Sequence, residues 1–216
     1  MANLNNKNLK LAIQKNGRLT DETISFLRSS GLEFESFSQR LFSTCNNFPL
    51  EILYLRVNDI ADYVSSGAVD LGIIGENIFL EKRPKAKKIL KLKFGFCSLV
   101  IAVKNDSNII SIKNLNNKII ATTYPKTTKN FLKRNNITSN IVCLNGSVEI
   151  APALGVAEAI VDLTSTGATL AQNNLRILTK IYDSEAVLIA NKQTLKNGKR
   201  ELLNKLLSRL MENKYA

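Results

Sequence analysis

The 216-residue chain is predicted to be an α/β protein. Two observations carry this. Short runs rich in Ile, Leu and Val alternate with amphipathic stretches that begin at Thr, Asn or Asp and stop at Gly, the pattern of strands and helices taken in turn. Hydrophobic residues make up 44% and charged residues 22%, so a buried core is available, yet no apolar run reaches the length of about 18 residues that suggests a membrane span.

The elements are expected in this order. LKLAI (9–13) forms a strand. Thr20 caps a helix with Asp21 and Glu22 in its first turn, Ile24, Phe26 and Leu27 as its apolar side, and Gly31 as its stop. EILYLR (51–56) alternates like a strand; Asn58-Asp59 then caps a helix that Gly67 ends. VDLGII (69–74) is a buried strand ending in Gly75, and FCSLVIAV (96–103) another. Strand 118–121, helix 127–135, strand 141–144, a helix over 148–154 and strand 159–163 follow. A helix opens at Leu170, strands occupy 177–181 and 186–190, and 200–211 is an amphipathic last helix. Boundaries near 93/94 and 183/184 divide the chain into a first lobe (1–93), a second (94–183) and a return to the first (184–216). Residues 1–8, polar and Asn-rich, are expected to be loosely ordered.

Composition removes several chemistries. There is no histidine, and Cys45, Cys97 and Cys143 lie far apart with no CxxC pair. His/Cys metal sites and histidine-based triads are excluded. Lone cysteines on apolar runs fit buried thiols in a reducing compartment, and MANLNNKNLK has no apolar core of a secretory signal, so the cytoplasm is expected. The net charge is +12, with seven Lys/Arg and one Glu in EKRPKAKKILKLK (81–93). No aromatics interleave that block, so it fits a solvated basic face better than a nucleic-acid surface; attraction of polyphosphates is the functional alternative.

The stretch VDLTSTGATL (161–170) raises the sharpest question: a carboxylate followed by a cluster of hydroxyl residues around Gly167. Strand, small-residue loop, then helix is the layout of a phosphate cradle, because glycine lets backbone N–H groups approach an anion and hydroxyls add donors. Asp162 would accept from ribose hydroxyls. A plain βα turn is the alternative. The loop resembles that of phosphoribosyltransferases, although their common motif has two adjacent acids and here Val161 precedes Asp162.

LAIQKNGRLTDETISFL (11–27), AVDLGIIGENIFLE (68–81), FGFCSLVIAV (94–103), IIATTYP (119–125) and LNGSVEIAPALGVAEAIVDLTSTGATL (144–170) together resemble the ATP phosphoribosyltransferases. The resemblance covers about residues 9–192, and its length is that of the short form. It implies two lobes like type II periplasmic binding proteins with the active site in the inter-lobe cleft. The implied reaction is transfer of the phosphoribosyl group of phosphoribosyl pyrophosphate to N1 of the adenine of ATP, with release of pyrophosphate, the first step of histidine biosynthesis. It further implies Mg2+, a regulatory subunit resembling histidyl-tRNA synthetase, and a homodimer of catalytic chains within a hetero-octamer, with neither nucleic acid nor membrane as partner.

On this resemblance Asp162, Thr164, Ser165, Thr166, Gly167, Ala168 and Thr169 bind phosphoribosyl pyrophosphate. Gly17, Arg18, Gly72, Gly75 and Tyr124 bind ATP, and Asp162, Arg18, Lys15 and Glu149 serve the chemistry. No metal ligand is assigned to the protein. For several of these a plainer role stays open: Lys15 and Arg18 as solvated cations, Gly72 and Gly75 as packing glycines, Glu149 as a helix start, Tyr124 as a core residue. A ligand-binding module of the same fold without catalysis is the alternative function.

Overall fold

The computed structural model describes residues 7–36, 41–194 and 199–212. Residues 1–6 of the expected loose N-terminus lie outside that set. The chain divides into two units: residues 1–95 with 185–216, and residues 96–184.

The first unit is built on a six-stranded sheet. Its strands are β1 (Leu9–Gln14), β2 (Phe42–Thr44), β3 (Leu50–Leu55), β4 (Leu71–Gly75), β5 (Ala86–Lys91) and β11 (Ala186–Asn191). They lie in the order β2-β3-β1-β4-β11-β5. β1 runs parallel to β3 and β4, whereas β11 is antiparallel to both β4 and β5. The central strands are apolar at successive positions because both faces are covered. Leu11, Ile13, Ile73 and Leu188 face one core with Leu27 of α1 (Thr20–Ser29) and Leu203, Leu206 and Leu210 of α6 (Arg200–Glu212). Ala12, Ile74, Val187 and Ile189 face another with Ile60, Ala61 and Val64 of α2 (Val57–Ser66). Asp70, buried just before β4, accepts from the Lys10 N–H, the Thr194 hydroxyl and the Lys199 ammonium at 2.8–2.9 Å, so it joins strand to C-terminal segment rather than merely ending a strand.

Several local expectations change. Thr20 is the first helical residue of α1, not its cap, and the N-cap position falls on Leu19 with no side-chain cap. Asn58 and Asp59 likewise lie inside the first turn of α2, after Arg56. Two elements of the segment 76–93 escaped the sequence pattern: α3 (Glu76–Lys82) and β5. The basic block therefore ends a helix and forms an edge strand. Its lysines are partly neutralised, since Glu76 pairs with Lys88 and Lys91, and Lys91 also reaches Glu185. Lysines on an edge strand also discourage pairing with a stray strand.

The second unit has a five-stranded sheet of β6 (Cys97–Lys104), β7 (Ile119–Thr122), β8 (Asn140–Cys143), β9 (Ala159–Thr164) and β10 (Leu175–Ser184), in the order β10-β6-β9-β7-β8. β7 is parallel to β8 and β9; β6 is antiparallel to β9 and β10. Helix α4 (Pro125–Arg134) connects β7 to β8, with Pro at its first position, where a missing N–H costs nothing. The helix expected over 148–154 is only a 3-10 turn, Val148–Ile150, followed by turns to Gly155. Pro152 removes an N–H there and disfavours helical continuation before it. The helix expected from Leu170 is the short α5 (Ala168–Gln172). Cys45 and Cys97 are buried, but Cys143 is exposed on β8, contrary to the expectation of three buried thiols.

Candidate active site

The site is clearest in the second unit. β9 runs beside β6 and β7 and carries Asp162 near its end. Val161, one residue earlier, points into the core and is fully buried, so no second acid has room at that position. The Asp162 carboxylate is half-buried and accepts the Leu163 N–H at 2.8 Å. Burial, above all, pushes its carboxyl up to about 6; the Leu163 N–H opposes this and the nearby Glu149 carboxylate adds to it. Glu149 sits in the 3-10 turn 148–150, which buries Val148 against Ile160 and so holds the turn against β9. These two carboxylates are thus brought together.

The loop after β9 is braced by its own hydroxyls. Thr164 Oγ1 accepts the Gly167 N–H at 2.9 Å, and Thr166 Oγ1 accepts the Ala168 N–H at 3.4 Å. A hydroxyl that accepts a backbone N–H keeps its own proton to donate elsewhere. Gly167 has φ 81°, a left-handed conformation that glycine adopts without strain, and nothing occupies the space beside its Cα. Ser165, Thr166, Ala168 and Thr169 are exposed around it. Leu170 anchors the far end in the core.

In the first unit Lys15, Gly17 and Arg18 follow the carboxyl end of β1, and Gly75 ends the neighbouring parallel strand β4. The carboxyl ends of parallel strands are where open α/β sheets take ligands. Arg18 Nη1 donates to the Gly95 carbonyl at 2.7 Å, and Glu22 accepts the Gly95 N–H at 2.9 Å. The guanidinium keeps further N–H donors. Nothing in the sequence joined Glu22 to Gly95, which are 73 residues apart.

Two expected ATP contacts are enclosed by their own unit. Gly72 lies inside β4 beneath α2: a Cβ there would come within 2.7 Å of Ile60 Cγ2 and 3.0 Å of Val64 Cγ2. It is a packing residue, closed off by the helix. Tyr124 is buried at the start of α4, where its N–H donates to Thr122 Oγ1 at 2.9 Å and its carbonyl accepts from Thr128. Thr122, which sequence reasoning missed, also donates to the Val161 carbonyl at 2.7 Å and so ties β7 to the strand of Asp162. Gly75 ends β4 at the carboxyl end of the sheet, where a Cβ would collide with Asn77 Oδ1.

Two α/β units, one bearing a strand-end carboxylate ahead of a hydroxyl loop, are the layout of a protein built to take a phosphate-bearing ligand. The family model described as "HisG: ATP phosphoribosyltransferase" matches residues 56–212, and the chain belongs to that family of pentosyltransferases, which act in histidine biosynthesis. The ATP phosphoribosyltransferase of Cytophaga hutchinsonii is 42% identical over 208 residues, 96% of this chain and 72% of that protein. That of Bacteroides thetaiotaomicron is 40% identical over 208 residues, 96% of this chain and 73% of that protein. Among solved structures, the "ATP phosphoribosyl transferase (HisG:HisZ) complex from Thermotoga maritima" is similar at TM-score 0.80 and 30% identity, over 95% of this chain and 98% of that one. The alkanesulfonate-binding protein SsuA from Xanthomonas axonopodis pv. citri is similar in fold alone, with TM-score 0.62 and 12% identity over 98% of this chain and 74% of that one. The likeness to type II periplasmic binding proteins thus holds for the fold, and the family match does not favour a binding module without catalysis.

Proposed function

We propose that Asp162, Glu149 and the loop Thr164–Thr169 hold phosphoribosyl pyrophosphate while N1 of the adenine of ATP attacks its anomeric carbon. The observation that carries this reading is the Asp162 carboxylate near the end of β9, with Glu149 of the 3-10 turn beside it, ahead of a hydroxyl-braced loop. As the new C–N bond forms, the C–O bond to pyrophosphate breaks and positive charge develops on the sugar ring. N1 attacks with its own lone pair, so positioning and charge stabilisation dominate the task. Asp162 and Glu149 accept from the ribose hydroxyls and offset that positive charge. The Thr164 and Thr166 hydroxyl protons and the exposed hydroxyls of Ser165 and Thr169 serve the 5′-phosphate. Lys15 and Arg18 serve the polyphosphate of ATP or the departing pyrophosphate; Arg18 has donors left for bidentate contact.

Among the described residues no group of three or more His, Cys, Asp or Glu side chains gathers to hold a metal. Two neighbouring carboxylates fit the sparser demand of Mg2+, which is commonly bound by one or two carboxylates plus substrate phosphates. Asp162 and Glu149 would hold it, and it supplies neutralisation of the pyrophosphate charge.

The reading extends to assembly and place. A regulatory partner chain is proposed on the strength of the Thermotoga maritima complex; its likeness to histidyl-tRNA synthetase and a hetero-octamer built on catalytic homodimers are proposed from the sequence resemblance alone. Residence in the cytoplasm is proposed from the family and the spaced cysteines. Among the described residues no helix is long and apolar enough to cross a membrane.

Product formation from ATP, phosphoribosyl pyrophosphate and Mg2+ tests the assignment, with pyrophosphatase present and with or without a candidate partner chain. An adduct that requires both substrates and is lost in Asp162→Asn supports it. An unchanged rate in Asp162→Asn removes this loop from the site.

A further inference from the structure

The second unit has a large groove remote from Asp162 in sequence and unused by the proposed chemistry. It has a volume of about 840 Å3 and lies between α4, the following loop and β8. Lys126, Lys129 and Lys133 line one wall, all exposed and all on one face of α4. Leu132 and Ile137, both buried, and half-buried Ile141 provide an apolar floor. Among the described residues no acidic side chain lines the groove.

The other wall is a sheet edge. β8 is the last strand in its sheet. The Asn140 N–H donates to the Lys118 carbonyl and the Leu144 N–H to the Thr122 carbonyl, so the even-numbered positions point their backbone groups at β7. Backbone groups alternate sides along a strand. The N–H and C=O of Ile141 and Cys143 therefore point away from β7, along the open edge. Both residues also line the groove. An open edge is a template for a further strand.

From these features we infer that the groove receives an extended acidic segment of another protein chain, which adds to β8 as a sixth strand of this sheet. Backbone hydrogen bonds to Ile141 and Cys143 give the attachment, and the lysine wall selects the sequence. The spacing suits this occupant. Lys129 to Lys133 covers about 6 Å of helix rise, and same-side residues of a strand repeat every ~7 Å, so two acidic residues at alternate positions match this pair. A compact inorganic anion would meet only part of it. A second copy of this chain is disfavoured, because it would bring the same lysines and a net charge of +12.

The test uses the full chain and a labelled ten-residue peptide of alternating Glu and Val, followed by fluorescence anisotropy. Cys143 is a built-in reporter, since Cys45 and Cys97 are buried. The peptide is expected to bind and to slow alkylation of Cys143. The double charge reversal Lys129→Glu/Lys133→Glu is expected to weaken binding about tenfold or more, because it turns attraction into repulsion at the wall. The same peptide N-methylated at alternate residues is expected to lose binding with its charge intact. Equal binding by the N-methylated peptide would overturn strand addition and leave charge attraction alone. Equal slowing of alkylation by inorganic triphosphate would assign the groove to small anions. Slowing that rises with protein concentration alone would assign it to a second copy, and absence of any peptide binding would likewise overturn the proposal.

Discussion

The Glu149 carboxylate, placed by one 3-10 turn against β9, repels the negative charge of Asp162 and reinforces the burial that pushes the Asp162 carboxyl up to about 6. A carboxyl raised in this way binds more protons folded than unfolded between its ordinary value of 3.8 and about 6. The contribution of this group to stability is then greatest at low pH and is lost as pH rises through that window. The ceiling is ~3 kcal/mol for a shift of about two units, and partial exposure reduces it to about 1–2 kcal/mol. Asp162→Asn is expected to be more stable than wild type by about that amount at neutral pH and to lose the advantage by about pH 4. Thermal unfolding across this range, without ligands, checks it; equal curves at neutral pH would contradict it.

The same pair sets the acid limb of the reaction. If ionised Asp162 binds the sugar, kcat/KM rises with pH through about 6. Glu149→Gln removes one source of the upward shift and leaves burial in place, so its limb moves to lower pH by less than the whole shift. A limb displaced upward, or unmoved, would separate the two carboxylates functionally.

Gly167→Ala keeps open space for its methyl group but forces a left-handed backbone on alanine, at about 1–2 kcal/mol. The loop is expected to relax away from φ 81° and break the Thr164 contact to the Gly167 N–H. Steady-state kinetics should show KM for phosphoribosyl pyrophosphate rising several-fold, the scale such a strain energy permits, with little change for ATP.

Gly72→Ala has the opposite character. Its methyl group would press on Ile60 and Val64 of α2, and overpacking of that kind costs about 1–3 kcal/mol. Urea unfolding should show a lowered midpoint, while the folded protein keeps its KM values. A selective loss of ATP affinity without loss of stability would return Gly72 to the nucleotide site.

Thiol chemistry should be confined to one position. Cys143 is exposed, whereas burial pushes the Cys45 thiol up to about 11 and Cys97 is enclosed. Native protein is expected to react rapidly at Cys143 alone with a thiol-specific reagent and at all three cysteines after unfolding, as titration with mass detection would show.

Much of this architecture was readable in one dimension. The strands at 9–14, 97–104 and 159–164 announce themselves as apolar runs, and the loop 164–169 by its glycine and hydroxyls. The edge strands of the first sheet were not readable in the same way. Phe42–Thr44 has three residues, and Ala86–Lys91 is rich in lysine, because edge strands bury less and so carry a weak apolar signal. The turn at 148–150 read as a longer helix, since apolar spacing at its start does not reveal where the chain stops.

By itself the sequence determined the α/β class, the family and the residue types available to the chemistry, because periodicity and local motifs are written along the chain. Tertiary structure alone decided where those residues lie and what they touch. It separated Gly72 from Gly75, one beneath a helix and the other at a strand end. It turned Tyr124 into the core and set Arg18 against the Gly95 carbonyl, 77 residues away. It also raised the Asp162 carboxyl, through burial and a neighbour 13 positions earlier, as residues 149 and 162 show. Burial and distance are properties of the packed chain, and electrostatic strength depends on both.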